Sequence, residues 1–154
     1  MKKIYLLAMI IFFMFVISGC NSAGTATDIG GISEEDITVI GERFFVMQIQ
    51  DVFLNPNNYI GSAIRYEGMF FSEFWPPTGE TFYMVVRFAD DCCGGGGIIG
   101  FEVYLGDIQP FPDDTWVEVT GIVELYNDGY GEFLRLVAVS VIEMDERGME
   151  VVPF

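Results

Sequence analysis

The sequence predicts a mainly β fold, a small five-stranded barrel that follows one helix and an N-terminal export segment. Five runs of medium length alternate between apolar and polar residues, which is the pattern of half-buried strands. A connection follows the third run, and Gly68 and Gly121 occupy equivalent places in the first and fourth runs, where glycine allows a strand to bend. These features are typical of an OB-type barrel, with a six-stranded barrel and an open sandwich as alternatives.

The N-terminus has the layout of a bacterial lipoprotein signal peptide. Lys2 and Lys3 precede an apolar run over residues 4–17, which is short for a membrane span. The run ends in Ile17-Ser18-Gly19-Cys20, which resembles a lipobox. This resemblance implies cleavage before Cys20 and lipidation of that cysteine. A plain signal peptide and an uncleaved anchor are the alternatives.

Three segments follow from this layout. Residues 1–19 are the predicted lipoprotein signal peptide, residues 20–33 the lipidated cysteine and a flexible tether, and residues 34–154 the barrel domain. Small polar residues and glycines dominate the tether, which is linker composition. We therefore expect the domain to be held by its lipid anchor at the cell membrane, on the extracytoplasmic side.

The net charge of the chain limits the classes of partner that we expect. The sequence has 23 acidic and 7 basic residues, a formal net charge of −16. Loss of residues 1–19 removes both lysines, so five arginines face all the acids and the charge becomes 5 − 23 = −18. Nucleic-acid binding depends on Lys and Arg at the phosphates, so nucleic acid is not expected as a partner. We expect contact with the membrane through acyl chains rather than through charge.

The elements follow one another in a simple order. The spacing of Phe45, Ile49, Val52 and Phe53 predicts a helix within residues 42–54, although a strand beginning near residue 44 is an alternative. Pro56 ends that segment. The predicted strands cover residues 64–70, 82–88, 98–105, 115–124 and 133–144. The sequence Asn127-Asp128-Gly129 indicates a tight hairpin before the last of them.

Several of these stretches together resemble a known family. They are the sequence from Asn55 to Gly61, Arg87-Phe88 shortly before Cys92-Cys93, and the sequence from Trp116 to Gly121. From about residue 45 to 152 the chain is similar to the C-terminal domain of the small subunit of predicted bacterial two-component permeases, the YcgQ-type family. The resemblance implies an OB-like domain outside the membrane, a permease as a partner, and no settled activity.

The adjacent cysteines are the residues with the clearest potential for chemistry. Asp90, Asp91, Cys92 and Cys93 offer two carboxylates and two thiols beside a four-glycine loop. Thiolates favour a soft metal ion such as zinc, which makes these four residues a candidate metal site. A vicinal disulfide with a redox role is an alternative, and such a bond is strained and easily reduced. A purely structural turn is the third interpretation, since the chain has no histidine to complete a site.

Aromatic residues provide a second candidate site. Trp75, Trp116 and Tyr126 are the residues we select as candidates for lining a groove for sugar or peptide. Because such residues are more often core, we expect at least half of the larger aromatic set to be buried: Phe70, Phe71, Phe74, Trp75, Trp116, Tyr126 and Tyr130. The sequence thus indicates a non-enzymatic binding or accessory module. A thiol redox protein and a purely structural domain are the competing classes.

Overall fold

The computed structural model describes residues 28–90 and 96–153. The strands are β1 (Asp28–Ile29), β2 (Ile32–Ser33), β3 (Ile37–Val39), β4 (Ala63–Trp75), β5 (Glu80–Asp90), β6 (Gly97–Tyr104), β7 (Trp116–Asn127), β8 (Glu132–Glu143) and β9 (Val151–Pro153). The helix α1 is Phe45–Leu54, and short 3₁₀ turns cover Glu34–Asp36, Glu42–Phe44 and Pro56–Asn58. In this part of the chain no helix has the length and apolar content needed to cross a membrane.

Five strands close into a barrel because β4 has two partners. The first half of β4 pairs with β7 and the second half with β5. The ring continues from β7 to β8, from β8 to β6 and from β6 to β5. The contact between β6 and β8 is parallel and the other barrel contacts are antiparallel. This connectivity is that of an OB barrel, so the predicted fold is confirmed and the six-stranded and open-sandwich alternatives are excluded.

The outer strands add to the barrel without opening it. Strand β3 runs parallel to the start of β4, and β9 runs parallel to the end of β5. Strands β1 and β2 form a separate hairpin within the segment 20–33, where the sequence predicts a tether. A Cβ atom on Gly30 of this hairpin would overlap a methyl group of Val139, so the hairpin turn lies directly against β8.

The two glycines of the first and fourth predicted strands lie where a neighbouring strand passes close to the backbone. A Cβ on Gly68 would approach the carbonyl oxygen of Val86 to 2.8 Å, and one on Gly121 would approach the Leu136 Cβ to 2.9 Å. The β7–β8 register shifts between Thr120 and Gly121, which marks a bulge. Glycine is needed at both positions because another strand passes too close for a side chain.

Helix α1 packs one apolar face on the barrel. Its buried residues are Phe45, Val46, Ile49 and Val52, and the predicted helix is confirmed over Phe45–Leu54. Val46 takes the buried place expected for Phe53, which is 46% exposed and stacks on Phe101 with ring centroids 5.0 Å apart. The Asn55 side chain donates to the Asp51 carboxylate at the C-terminal end, where the Pro56 turn follows.

A buried tyrosine links three barrel strands. Tyr66 of β4 is 1% exposed, and its hydroxyl donates to the carbonyl of Val85 at 2.7 Å. The same hydroxyl accepts from the amide of Phe101 at 3.1 Å. Val85 and Phe101 are register partners on β5 and β6, so the tyrosine bridges the ladder from inside the barrel. Burial raises the pKa of Tyr66, which keeps its proton available for this bridge.

Candidate functional site

Two adjoining clefts lie on the outer face of the barrel. The first, of about 290 Å³, lies between the β4–β5 turn and the β7–β8 turn. The second, of about 330 Å³, continues along β5 and β6 to the end of β6. Both are lined by Phe82 and Glu102, and we call the two together the aromatic groove. Its rings come from Trp75, Phe82, Tyr83, Tyr104, Tyr126, Tyr130 and Phe133.

Strand alternation places these side chains outside the core. In β6, Phe101 and Val103 face the buried interior, so Glu102 and Tyr104 between and after them face outward. The β7–β8 turn is fixed by Asp128, whose carboxylate accepts from the amides of Tyr130 at 2.7 Å and Gly131 at 2.9 Å. Gly129 in this turn has φ +90, so the predicted hairpin signal is confirmed.

The groove rings are unusually exposed for aromatic residues. Trp75 is 47% exposed, Phe133 46% and Tyr130 76%. Of the seven aromatic residues considered from the sequence, only Phe70 and Trp116 are buried, so the expectation that at least half would be buried is wrong. The reason is that the outward positions of β4 and of the β7–β8 turn carry rings rather than polar side chains.

Arg135 already places a cation on part of this face. Its guanidinium carbon lies 4.2 Å from the Tyr126 ring centroid and 4.7 Å from that of Tyr104. The same guanidinium pairs with the Glu124 carboxylate at 2.7 Å. The arginine is therefore held by two rings and one acid, and its charge is compensated by a neighbour outside the clefts.

Glu102 is the half-buried acid at the junction of the clefts. It accepts a hydrogen bond from the Tyr126 hydroxyl. Burial raises the pKa of Glu102, while the bond from Tyr126 and the charge of Arg135 act in the opposite direction. Among the described residues, no basic side chain comes within 4.0 Å of this carboxylate. Burial, followed by the bond to Glu102, also raises the pKa of Tyr126.

The structure separates the three aromatic residues that the sequence singled out. Trp75 and Tyr126 lie together in the first cleft. Trp116 is 3% exposed at the opposite end of β7, and its indole N–H donates to the Glu67 carboxylate at 3.0 Å. The sequence reasoning did not select Phe82 or Glu102, although the alternation of β6 marks the latter as an acid between two inward residues.

Trp116 belongs instead to a buried arginine cluster. The Arg87 guanidinium is sandwiched between Phe45 at 4.6 Å and Trp116 at 5.0 Å. It donates to the carbonyls of Glu67 at 2.7 Å and Met149 at 3.2 Å. Burial lowers the pKa of Arg87, which stays charged because an arginine does not lose its proton in proteins. Arg87 and Trp116, two residues of the family resemblance, thus stabilise the fold.

The predicted metal site lies largely outside the described residues, which exclude Asp91, Cys92 and Cys93. Asp90 is described: it ends β5 and is exposed. At the usual rise per residue of a strand, Asp90 lies about 25 Å along β5 from Phe82 of the aromatic groove. In the ranges 28–90 and 96–153 there is no group of three or more His, Cys, Asp or Glu side chains that could hold a metal ion.

These features define the protein as a small OB-barrel protein with an N-terminal helix packed on the barrel. Its sequence matches the model of the DUF1980 C-terminal domain over residues 22–148. The chain belongs to this family, which agrees with the resemblance to the YcgQ-type domain. No curated protein and no solved structure matches the chain.

Proposed function

We propose that the chain is an extracytoplasmic lipoprotein, anchored through Cys20, whose barrel is a non-enzymatic binding module. The observation that carries this proposal is the aromatic groove. Exposed rings clustered around a half-buried carboxylate are costly to leave in water, and such patches mark interaction sites. The groove also lies beside the β4–β5 and β7–β8 turns, where OB barrels bind their ligands.

The chemistry of the groove suits binding. Its rings offer stacking surfaces, and Glu102, Tyr126 and Arg135 offer polar groups at fixed positions. Nucleic acid, a common ligand of OB barrels, is disfavoured because the chain carries a net charge of −16. A smaller ligand that stacks on the rings is the better match, and clefts of about 290 and 330 Å³ are at the lower end of ligand sites.

The anchor would keep this module at the membrane surface. The signal sequence and Cys20 support that location, and the family resemblance supports a membrane permease as the partner. Metabolic labelling with a fatty acid tests the anchor: the wild-type chain should carry label and sediment with membranes, and Cys20→Ser should do neither. Label retained by Cys20→Ser would show that the cysteine is not the acceptor.

The groove is tested by titrating the full-length chain, in detergent micelles, with a panel of neutral sugars, organic ammonium ions and short basic peptides. Tryptophan fluorescence reports binding because Trp75 lines the first cleft. A saturable change with at least one compound, lost in Tyr130→Ala, which keeps the Trp75 reporter in the same cleft, and retained in Phe74→Ala, supports the proposal. Phe74 is a matched control, exposed to 60% on the same strand as Trp75 and absent from both cleft linings. No saturable binding by any member would oppose the proposal.

A second binding function is proposed for the cysteine loop. The exposed Asp90 carboxylate stands where β5 ends, immediately before Asp91, Cys92 and Cys93. Carboxylate and thiolate groups together suit a soft metal ion such as zinc. Native mass spectrometry of protein purified without chelator, with a count of alkylatable thiols, tests it. Metal mass lost with chelator supports the site. A mass without metal, together with a reducible bond between Cys92 and Cys93, would instead support the thiol redox alternative. A mass without metal and two alkylatable thiols would support a structural role.

A further inference from the structure

We infer that the aromatic groove binds an organic cation, an ammonium or guanidinium group carried by a small molecule or by a basic peptide side chain. This inference rests on the proposed function and names the ligand class of the same site. It comes from three properties of the groove: a resident cation over two of its rings, other rings with no cation over them, and a half-buried acid that forms no ion pair within 4.0 Å among the described residues.

The resident cation shows what this face accepts. Arg135 lies over both Tyr104 and Tyr126, at 4.7 Å and 4.2 Å from the ring centroids. A cation is attracted to the electron-rich face of an aromatic ring, and the attraction is greater when water is excluded. One half of the groove is therefore already a cation–aromatic site, occupied by the protein's own side chain.

Arg135 covers Tyr126 in the first cleft but none of the other rings there. Trp75, Tyr130 and Phe133 line the first cleft, and among the described residues no arginine lies over their rings. From residue 4 onward the sequence contains no lysine. These rings are open to a cation from outside.

Charge points to the same ligand. Glu102 and Asp128 line the first cleft, and Glu102 and Glu80 line the second. Arg135, the basic residue of the lining, is compensated by Glu124, so the three carboxylates leave the groove negative. Burying a carboxylate is costly unless a cation and hydrogen bonds compensate it. A ligand cation beside Glu102 would supply that compensation, whereas a neutral sugar would not and an anion would be repelled.

Protonation of Glu102 gives the inference a second readout. The groups around this carboxylate are Tyr126 on β7, Arg135 on β8, Asp128 in the β7–β8 turn and Glu80 on β5. Because burial raises the pKa of Glu102, acidification removes its charge before that of an exposed glutamate. Affinity for a cation that does not itself titrate should therefore fall as the pH is lowered.

Calorimetric titration of the full-length chain in neutral detergent micelles tests the inference with matched ligands. Choline is compared with 3,3-dimethyl-1-butanol, its neutral isostere, and a short lysine- or arginine-containing peptide is compared with the same peptide carrying norleucine. We expect each cation to bind at least about tenfold more tightly than its neutral match. Stronger binding of choline would indicate a free small molecule as the source, and stronger binding of the basic peptide would indicate a peptide side chain.

Variants separate the site from general charge. Glu102→Gln keeps an acceptor for Tyr126 and should weaken cation binding about tenfold or more and remove its pH dependence. Glu132→Gln removes an equal charge from an exposed position on β8 outside the cleft linings, and it should bind as wild type. Thermal melting confirms that each variant folds, and Trp75→Leu provides a second loss of binding that leaves all charges in place.

Four results would overturn the inference. Equal affinity for cations and neutral matches would leave the groove a binding site but exclude cation selectivity. Unchanged cation binding by Glu102→Gln would exclude a role for the Glu102 carboxylate in binding the cation. Binding of neutral sugars with no binding of any cation would replace the ligand class while keeping the proposed function. Failure of every cation, sugar and peptide to bind would remove both the inference and the proposed function.

Discussion

Replacing Tyr66 by phenylalanine removes only one oxygen atom, yet we expect it to destabilise the barrel strongly. The hydroxyl donates to the Val85 carbonyl at 2.7 Å and accepts from the Phe101 amide at 3.1 Å. Tyr66 is 1% exposed, so water cannot replace either bond without opening the core. Each buried backbone group left without a partner costs about 1–3 kcal/mol, and partial closure of the β5–β6 ladder recovers some of it. We expect a loss of about 2–4 kcal/mol.

Urea unfolding followed by circular dichroism measures this loss directly. At about 4 °C per kcal/mol for a domain of this size, the melting temperature should fall by roughly 8–16 °C. Tyr130→Phe is the matched control, because Tyr130 is 76% exposed and the same deletion there should change the free energy of unfolding by less than about 0.5 kcal/mol. If Tyr66→Phe behaves like Tyr130→Phe, the hydroxyl does not stabilise the ladder.

Three further predictions concern other parts of the molecule. Arg87→Met should lower the free energy of unfolding by about 3 kcal/mol in urea titrations, because two charge-assisted hydrogen bonds to backbone carbonyls are lost in the core. A hydrogen bond from Tyr59, and a smaller effect of the one from Asn55, lower the pKa of Asp51. The ionised Asp51 therefore stabilises the folded state above the unfolded-state pKa of about 3.9, and this stabilisation is lost as the pH falls below that value. Tyr59→Phe should thus be less stable than wild type at pH 6, and the difference should shrink below about pH 4 in urea titrations across pH. If the proposed loop binds zinc, joint replacement Cys92→Ser with Cys93→Ser should abolish zinc binding, measured by native mass spectrometry, and leave a chain that still melts cooperatively but without the stabilisation that bound zinc gives the folded state.

Each of these predictions has a contrary result. Wild-type stability of Arg87→Met would show that the hydrogen bonds from Arg87 to the backbone carbonyls do not stabilise the fold, and Arg43→Met is the surface control. A stability difference for Tyr59→Phe that persists below pH 4 would mean that packing, rather than the bond to Asp51, carries the effect. Zinc retained after both cysteines are replaced would move the metal away from the loop.

The core was the part most open to prediction from sequence. Strand alternation, the paired glycines Gly68 and Gly121 and the hairpin sequence around Gly129 are local signals, and each identified a feature that the structure confirms. The helix was placed well for the same reason, although Val46 rather than Phe53 faces the core. Local periodicity predicts which residues share a face of an element, but it does not predict which neighbouring strand packs on that face.

The candidate site illustrates that limit. Trp75 and Tyr126 are far apart in the chain, and they share a cleft because β4 curls from β7 onto β5. Trp116 was an equally good candidate from the sequence, but it is buried and packs against the Arg87 guanidinium. Glu102 becomes distinctive because Tyr126 and Arg135 reach it from two other strands. No single segment contains that information.

The sequence by itself determined the strong negative charge, indicated the barrel class and led to the prediction of a lipid anchor, because these depend on composition and on patterns within short segments. Tertiary structure alone decided that the barrel closes through β4, that Arg87 is a buried cation, and that aromatic rings line two clefts that share Glu102 on the outer face. The physical reason is that burial and electrostatic environment depend on contacts between strands distant in the chain, and these contacts exist only once the sheet has closed.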